Sequence, residues 1–349
     1  MEEKYILCIP KNCGFNDTMC QIDEAYKFSK KTNRKLIIDT RLSCLADLLS
    51  NYMEILDPSD NIELDLTERN IKYLNNLSCY PKELTGKIDS IFDSFSEGKS
   101  SSIYQSNRAY KIFKPARIEY FINSQNYILE LLKKTSIAKI FTTYYKNIRS
   151  LNLLILNSPF FINNEASVII HHQYGGGEGS IQAIKLFKLK DDITKLMKNK
   201  LNTLGLDYDS IHIRNTDYKT NYVIFLQSIQ SNLIGRKVLV CTDNYYVLES
   251  AREILKESEV ISFNEYYNLN NDNQEVSPLH HCQKGLLQNE IFNKNLNVFI
   301  DLIGISKSIN FYYTSLNKNR ENTLISGFSK LGENLKNNKS LVDRWYGNI

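Results

Sequence analysis

Residues 208–222, YDSIHIRNTDYKTNY, carry an apolar strand straight into a knot of polar groups. Side chains alternate along a strand with period two, so Ile211 and Ile213 share one face and His212 and Arg214 the other. Thr216 and Asp217 follow at once. The end of a core strand has no packing use for so many polar groups, whereas a site that holds an anion does. A planar guanidinium that stays charged and donates several hydrogen bonds suits the oxygens of a diphosphate. A strand-end Arg–Asp ion pair with no ligand is the competing reading of the same residues.

Outward from this strand, the second half of the chain repeats one rhythm. KVLVCTDN (237–244), VISF (260–263) and NFYYTS (310–315) read as strands, with helices expected near 221–233, 245–256 and 285–304, a polar loop over 264–279, and a last helix near 327–337. The first half opens the same way. YILCI (5–9) is a strand, Met19, Ile22, Ala25, Tyr26 and Phe28 form the apolar side of a helix over 17–31, and KLIID (35–39) completes a βαβ unit. Helical spacing is expected near Leu45 to Met53, an exposed excursion through EGKSSS (97–102), helices over 123–148, and strands at 151–157 and 167–171. Ile193, Leu196, Met197, Lys200 and Leu204 mark one side of a helix that Asp191 or Asp192 can cap and Gly205 ends. The fold class is therefore α/β, with two Rossmann-like domains, 1–183 and 184–349, facing across a cleft.

Composition narrows the function classes. The 349 residues are too many for one ordinary core, and 42% hydrophobic residues with only 14 Gly and 6 Pro predict a globular chain throughout. A net charge of +4, with no Lys/Arg stripe interleaved with aromatics, argues against a nucleic-acid partner. MEEKYILCIPKN does not read as a signal peptide, and no run reaches the length of a membrane span, so a cytoplasmic protein is expected. The lysine face of the 191–204 helix leaves peripheral contact with the inner membrane face open. Seven cysteines, without CxxC pairs, fit a reducing compartment and no zinc site. His171–His172 and His280–His281 are adjacent pairs whose members point apart on a strand, so no metal site is expected.

GFND (14–17), HIRNTD (212–217), TDN (242–244) and SGFSKL (326–331) occur in an order that resembles the GDP-fucose-dependent fucosyltransferase superfamily with the GT-B fold. PKNCGFNDTMCQIDEAYKFSKKTNRKLIID is similar to the opening of those enzymes, and VFIDLIGISKSINFYYTS to their closing stretch. The resemblance implies an inverting, metal-independent transfer of L-fucose from GDP-fucose to a glycan hydroxyl of unspecified identity, with no cofactor. It implies that Arg214 pairs with the β-phosphate, that His212 lies near guanine or ribose, and that Asp301 accepts hydrogen bonds from guanine N1 and N2. Ser326, Gly327, Phe328 and Ser329 would cradle phosphate at a helix start, and Thr242 and Asp243 would line the nucleotide pocket. Gly14, Phe15, Asn16 and His172 would stand on the sugar and acceptor side, in the first domain.

Two positions depart from that pattern. Asn215 stands in the donor motif where the superfamily has a second arginine, and Cys13 stands where one class of protein O-fucosyltransferases has a catalytic glutamate. Asp17 is then the first candidate for the general base, with Glu178 and His172 behind it. GGGEG (175–179) lacks the GK[ST] of a phosphate loop and reads better as a hinge, and Tyr312 and Tyr313 as packing. A GT-B enzyme using another nucleotide sugar, or a non-catalytic nucleotide- or glycan-binding protein, are the alternative functions.

Overall fold

The computed structural model describes residues 3–80, 82–88, 91, 165–172, 177–215, 220–264, 286–316 and 324–347. The expectations for 97–102, 123–148, 151–157, 265–279, Gly175, Gly176, Thr216, Asp217, His280, His281 and Cys282 lie outside those residues. Contacts divide the chain into two units, one of Met1–Cys13, Asp17–Leu49 and Pro58–Gly179, the other of Gly14–Asn16, Ser50–Asp57 and Ser180–Ile349.

The first unit is a parallel sheet. It is built from β1 (Tyr5–Cys8), β2 (Lys35–Ile38), β4 (Ile62–Leu64), β5 (Cys79–Tyr80) and β6 (Val168–His171), in the order β4-β2-β1-β6-β5. All four residues of β1 are buried, as expected for a strand covered on both faces. Helix α1 (Phe15–Thr32) buries Met19, Ile22, Ala25 and Phe28 on one stripe, while Tyr26 reaches out to Asp60 at 2.6 Å. A short α2 (Glu68–Leu74) is capped by Thr67, whose side chain accepts from the Asn70 amide.

No helix spans 45–53. The described chain there holds one 3-10 turn, Leu49–Asn51, followed by β3 (Met53–Ile55). Thr40 Oγ1 donates to the Asp47 carbonyl and Ser43 Oγ to the Thr40 carbonyl, side-chain bonds that compete with helix formation. Ala46 adopts φ +49° and breaks the run, and β3 is committed to a partner strand, β7 (Phe187–Leu189).

In the second unit, β7 and the short α3 (Ser180–Ile184) lead into α4 (Asp191–Leu201), and the unit is then built on β8 (Tyr208–Ile213), α5 (Tyr222–Leu233), β9 (Lys237–Thr242), α6 (Tyr245–Ile254), β10 (Glu259–Ile261), α7 (Gln288–Lys307), β11 (Phe311–Tyr313), β12 (Ser315–Leu316), β13 (Leu324–Ile325), α8 (Gly327–Lys336) and α9 (Lys339–Tyr346). Its main sheet is parallel, in the order β10-β9-β8-β11. Strand β7 and helix α9 were not foreseen. Lys190, not an aspartate, occupies the N-cap of α4 and makes no side-chain cap; Asp192 instead takes the Ile193 amide at 2.9 Å, and Leu196 is 45% exposed. Among the described residues, no helix is long and apolar enough to cross a membrane.

Helix α7 organises this unit. Ile291, Leu296, Phe299, Ile300, Leu302, Ile303 and Ile305 are buried on every side of it, so it runs through the core. Gly304 permits the approach: a Cβ there would stand 2.5 Å from Leu239 Cδ2 on β9. The Gly304 carbonyl also accepts from the Tyr208 hydroxyl at 2.7 Å. Gly304→Val should therefore force α7 off the sheet and destabilise the protein by about 1–3 kcal/mol, seen as a lower thermal midpoint. An unchanged midpoint would contradict this packing.

Candidate donor site

The carboxyl ends of the second sheet gather the polar residues. The chain runs from β8 to β9 and β10 on one side, then returns to β11 on the other, so the order reverses between β8 and β11. In open α/β sheets such a reversal is where ligands bind. His212 sits there, opposite Tyr313 of β11.

A chain of hydrogen bonds from the α8 cap reaches His212. Ser326 caps α8 by accepting the Ser329 amide at 3.0 Å, and its hydroxyl donates to Ser329 Oγ, also at 3.0 Å. Ser329 Oγ and His212 Nδ1 then share a hydrogen bond at 2.7 Å, which ties the imidazole to the α8 cap. Burial, and then the charge of Arg214, push the imidazole down to about 3, so it is neutral at physiological pH. The Phe328 ring lies against it at 4.8 Å between centroids.

Arg214 leaves β8 and pairs with Asp243 (Nη1–Oδ2 3.0 Å), with 20% of its side chain still exposed. Asp243 Oδ1 accepts the Asn215 amide at 3.2 Å. Asn215 serves the loop itself: its side chain accepts the Thr220 amide at 2.9 Å and its carbonyl accepts from Asn244 at 3.1 Å. Asn244 also caps α6 through the Val247 amide. Thr242 Oγ1 accepts the Asn244 amide, which closes the β9 turn.

Asp301, on α7, is 5% exposed. Its Oδ2 accepts from Asn264 Nδ2 at 3.1 Å, while Oδ1 is buried with no hydrogen-bond partner among the described residues. Burial raises this carboxyl to about 7, opposed by Asn264, the Cys241 thiol and the charge of Lys200. Two further buried hydroxyls at the same edge, Ser262 Oγ after β10 and Thr314 Oγ1 after β11, also lack partners among the described residues. A buried polar atom without a partner calls for an explanation, and a bound ligand is one that would supply the missing hydrogen bond.

The GFN segment groups with this unit and not with the first domain. Phe15 is a core residue, edge-on to Phe299 at 5.4 Å. Asn16 is buried, accepts from Ser180 Oγ at 2.7 Å, and lies so close to Gly327 that a Cβ there would meet Asn16 Nδ2 at 2.8 Å. Gly327 is thus the residue that lets the α8 start and Asn16 meet. In the first unit, Asp17 lies in the first turn of α1, Glu178 is exposed, and His172 Nδ1 is 2.7 Å from the Ile9 carbonyl. Burial and the charge of Lys11 lower His172 to about 3, so it too is neutral. His171 bonds Gln21 instead, as expected of side chains pointing apart, and no group of three or more metal-ligating residues occurs among the described residues.

Sequence reading missed Asn264, Asn244, Ser262 and Thr314. The signal was available, since each follows a strand as Arg214 and Asn215 follow theirs.

No protein-family model matches the chain, and no curated protein matches it. Solved structures do. The NodZ alpha-1,6-fucosyltransferase co-crystallized with GDP aligns over 96% of this chain and 93% of its own, at 14% identity and a TM-score of 0.53. The fucosyltransferase NodZ from Bradyrhizobium aligns over 96% and 94%, at 12% identity and a TM-score of 0.52. The NodZ structure soaked with GDP-fucose aligns over 96% and 93%, at 14% identity and 0.53. Likeness at this identity is one of fold, and the α/β, GT-B class expected from the sequence is the one found.

Burial of the Asp301 carboxyl has a consequence for stability. A carboxyl whose folded value is raised from 3.8 to about 7 binds its proton more tightly folded than unfolded, so its contribution to stability falls as pH rises from about 4 to 7. Asp301→Asn should therefore stabilise the ligand-free protein at pH 8, by about 1–3 kcal/mol, and much less at pH 4.5. Denaturation of both proteins at the two pH values measures it; an equal change at both would refute the assignment.

Proposed function

We propose that this protein is a GT-B glycosyltransferase that moves L-fucose from GDP-fucose to a glycan hydroxyl, with inversion and without a divalent metal. The observation that carries the reading is Asp301: a buried carboxylate oxygen with no partner among the described residues, on the sheet edge that also holds Arg214 and the α8 N-terminus. A guanine presents two N–H groups to such an oxygen, and the diphosphate of GDP suits a guanidinium beside helix amides.

The chemistry follows from those charges. The bond between the fucose anomeric carbon and the β-phosphate oxygen breaks, and its electron pair leaves on GDP. Negative charge grows there as it breaks, and Arg214 and the first amides of α8, ahead of the capped Ser329 amide, are donors fixed in advance beside the His212 imidazole. The acceptor oxygen attacks the opposite face of that carbon and loses its proton to a base. Asp17 is the first choice for that base; His172, a neutral imidazole, and Glu178 are the others. One cation and a helix terminus can offset the leaving charge, which is why no metal is required in this reading.

With GDP-fucose and EDTA, the protein should release GDP, and Arg214→Ala should lower turnover by about a hundred- to a thousandfold. Strict dependence on added Mn²⁺ would contradict the mechanism. In thermal shift, GDP at about a hundred times its dissociation constant should stabilise by roughly 2.7 kcal/mol, with UDP, CMP and dTDP having little effect. Asn215, spent on its own loop instead of on phosphate, favours a second reading, a non-catalytic nucleotide-binding protein. GDP binding without any hydrolysis or transfer would decide for it.

A further inference from the structure

Strand β10 is the outer strand of the second sheet and pairs with β9 through only Glu259, Val260 and Ile261. The chain then leaves as Ser262, Phe263 and Asn264. The Asn264 amide has two N–H protons, and both acceptors are in place: the Thr242 carbonyl at 3.2 Å and Asp301 Oδ2 at 3.1 Å. Turning the amide over would set its carbonyl against two acceptors, so its orientation is settled. It ties α7 to the end of β9 and gives one carboxylate oxygen a fixed partner.

We propose that Asn264 is a specificity-determining positioning residue, which holds Asp301 so that its other oxygen is kept for the N–H edge of a guanine base. This rests on the reading of the site as one for a GDP-sugar. A neutral amide orients the carboxylate without cancelling its charge, as a lysine or arginine there would. The carboxylate consequently still demands a donor, which guanine N1–H and N2–H supply and the adenine N1 lone pair repels. The titratable groups around it are the Cys241 thiol on β9 and Lys200 on α4.

The test is calorimetric binding of GDP, ADP and pyrophosphate to the full chain between pH 5.5 and 8.5. In the unmodified protein, GDP should bind far better than ADP, and its affinity should fall as pH drops below about 7, because protonation removes the acceptor. Asn264→Ala should weaken GDP binding about tenfold, shrink the GDP-to-ADP preference by a similar factor, and move the pH midpoint upward. Pyrophosphate binding should stay within about twofold, since Arg214 and α8 are untouched. Asn264→Ser, too short to reach both acceptors, should behave alike and serves if the alanine variant does not fold. Either variant keeping both the preference and the pH midpoint overturns the proposal, as does equal loss of pyrophosphate binding. An unmodified protein with no preference for GDP over ADP would instead sink the GDP-sugar reading beneath it.

Discussion

A parallel sheet covered on both faces can place unsatisfied polar groups only at its edges, and the second unit is arranged around that constraint. All six residues of β8 are buried. At its amino end Asp209 is fully served: the Asn310 backbone and side chain bond Oδ1, and Arg236 bonds Oδ2. In the first unit Asp39, wholly buried, is likewise met by Arg41 and the Leu66 amide. Asp301 is buried too, beside the Cys241 thiol, but its Oδ1 has no oxygen or nitrogen partner among the described residues. The difference separates carboxylates that hold the fold from one that is held by it.

Arg214 carries the structural reading of its motif, and that pairing is compatible with the proposed functional one. The ion pair with Asp243 is what the bland interpretation of the strand end anticipates. A pair with the arginine partly exposed contributes at most about 1 kcal/mol, so stability is a poor account of it. Its larger effect is geometric: Asp243 binds the guanidinium with one oxygen and the Asn215 amide with the other, so the side chain and the turn it leaves from are fixed together. A guanidinium has five N–H donors in a planar fork, a shape that suits the oxygens of a diphosphate.

Much of this was legible before any coordinates. Uniform apolar runs such as YILC and KVLVCT stand out because parallel strands are buried on both faces, and α1, α5, α6 and α8 follow from spacing and caps. The 45–53 stretch was misread because its apolar spacing suits a helix, while the side-chain bonds of Thr40 and Ser43 and the pairing with β7 decide otherwise. Phe15 was assigned to a ligand from its motif, yet its partner Phe299 is 284 positions away in sequence, beyond any local pattern. Asn264 was passed over as part of a polar loop. Its meaning depends on Thr242 and Asp301, which only the closed sheet edge brings within its reach.

The groups of the proposed donor site share one electrostatic design. Arg214 is the fixed cation, and the group beside it, His212, is kept neutral by burial and by Arg214 itself. A second cation there would repel the first and would have to be desolvated with it. A neutral imidazole costs neither, and the chain through Ser329 and Ser326 holds its Nδ1 in place. At the other end of the site the same economy places a neutral amide against Asp301. Charge is thus kept where a ligand's own charge or N–H edge can answer it, and neutral groups do the orienting, so little reorganisation is left for the moment of binding.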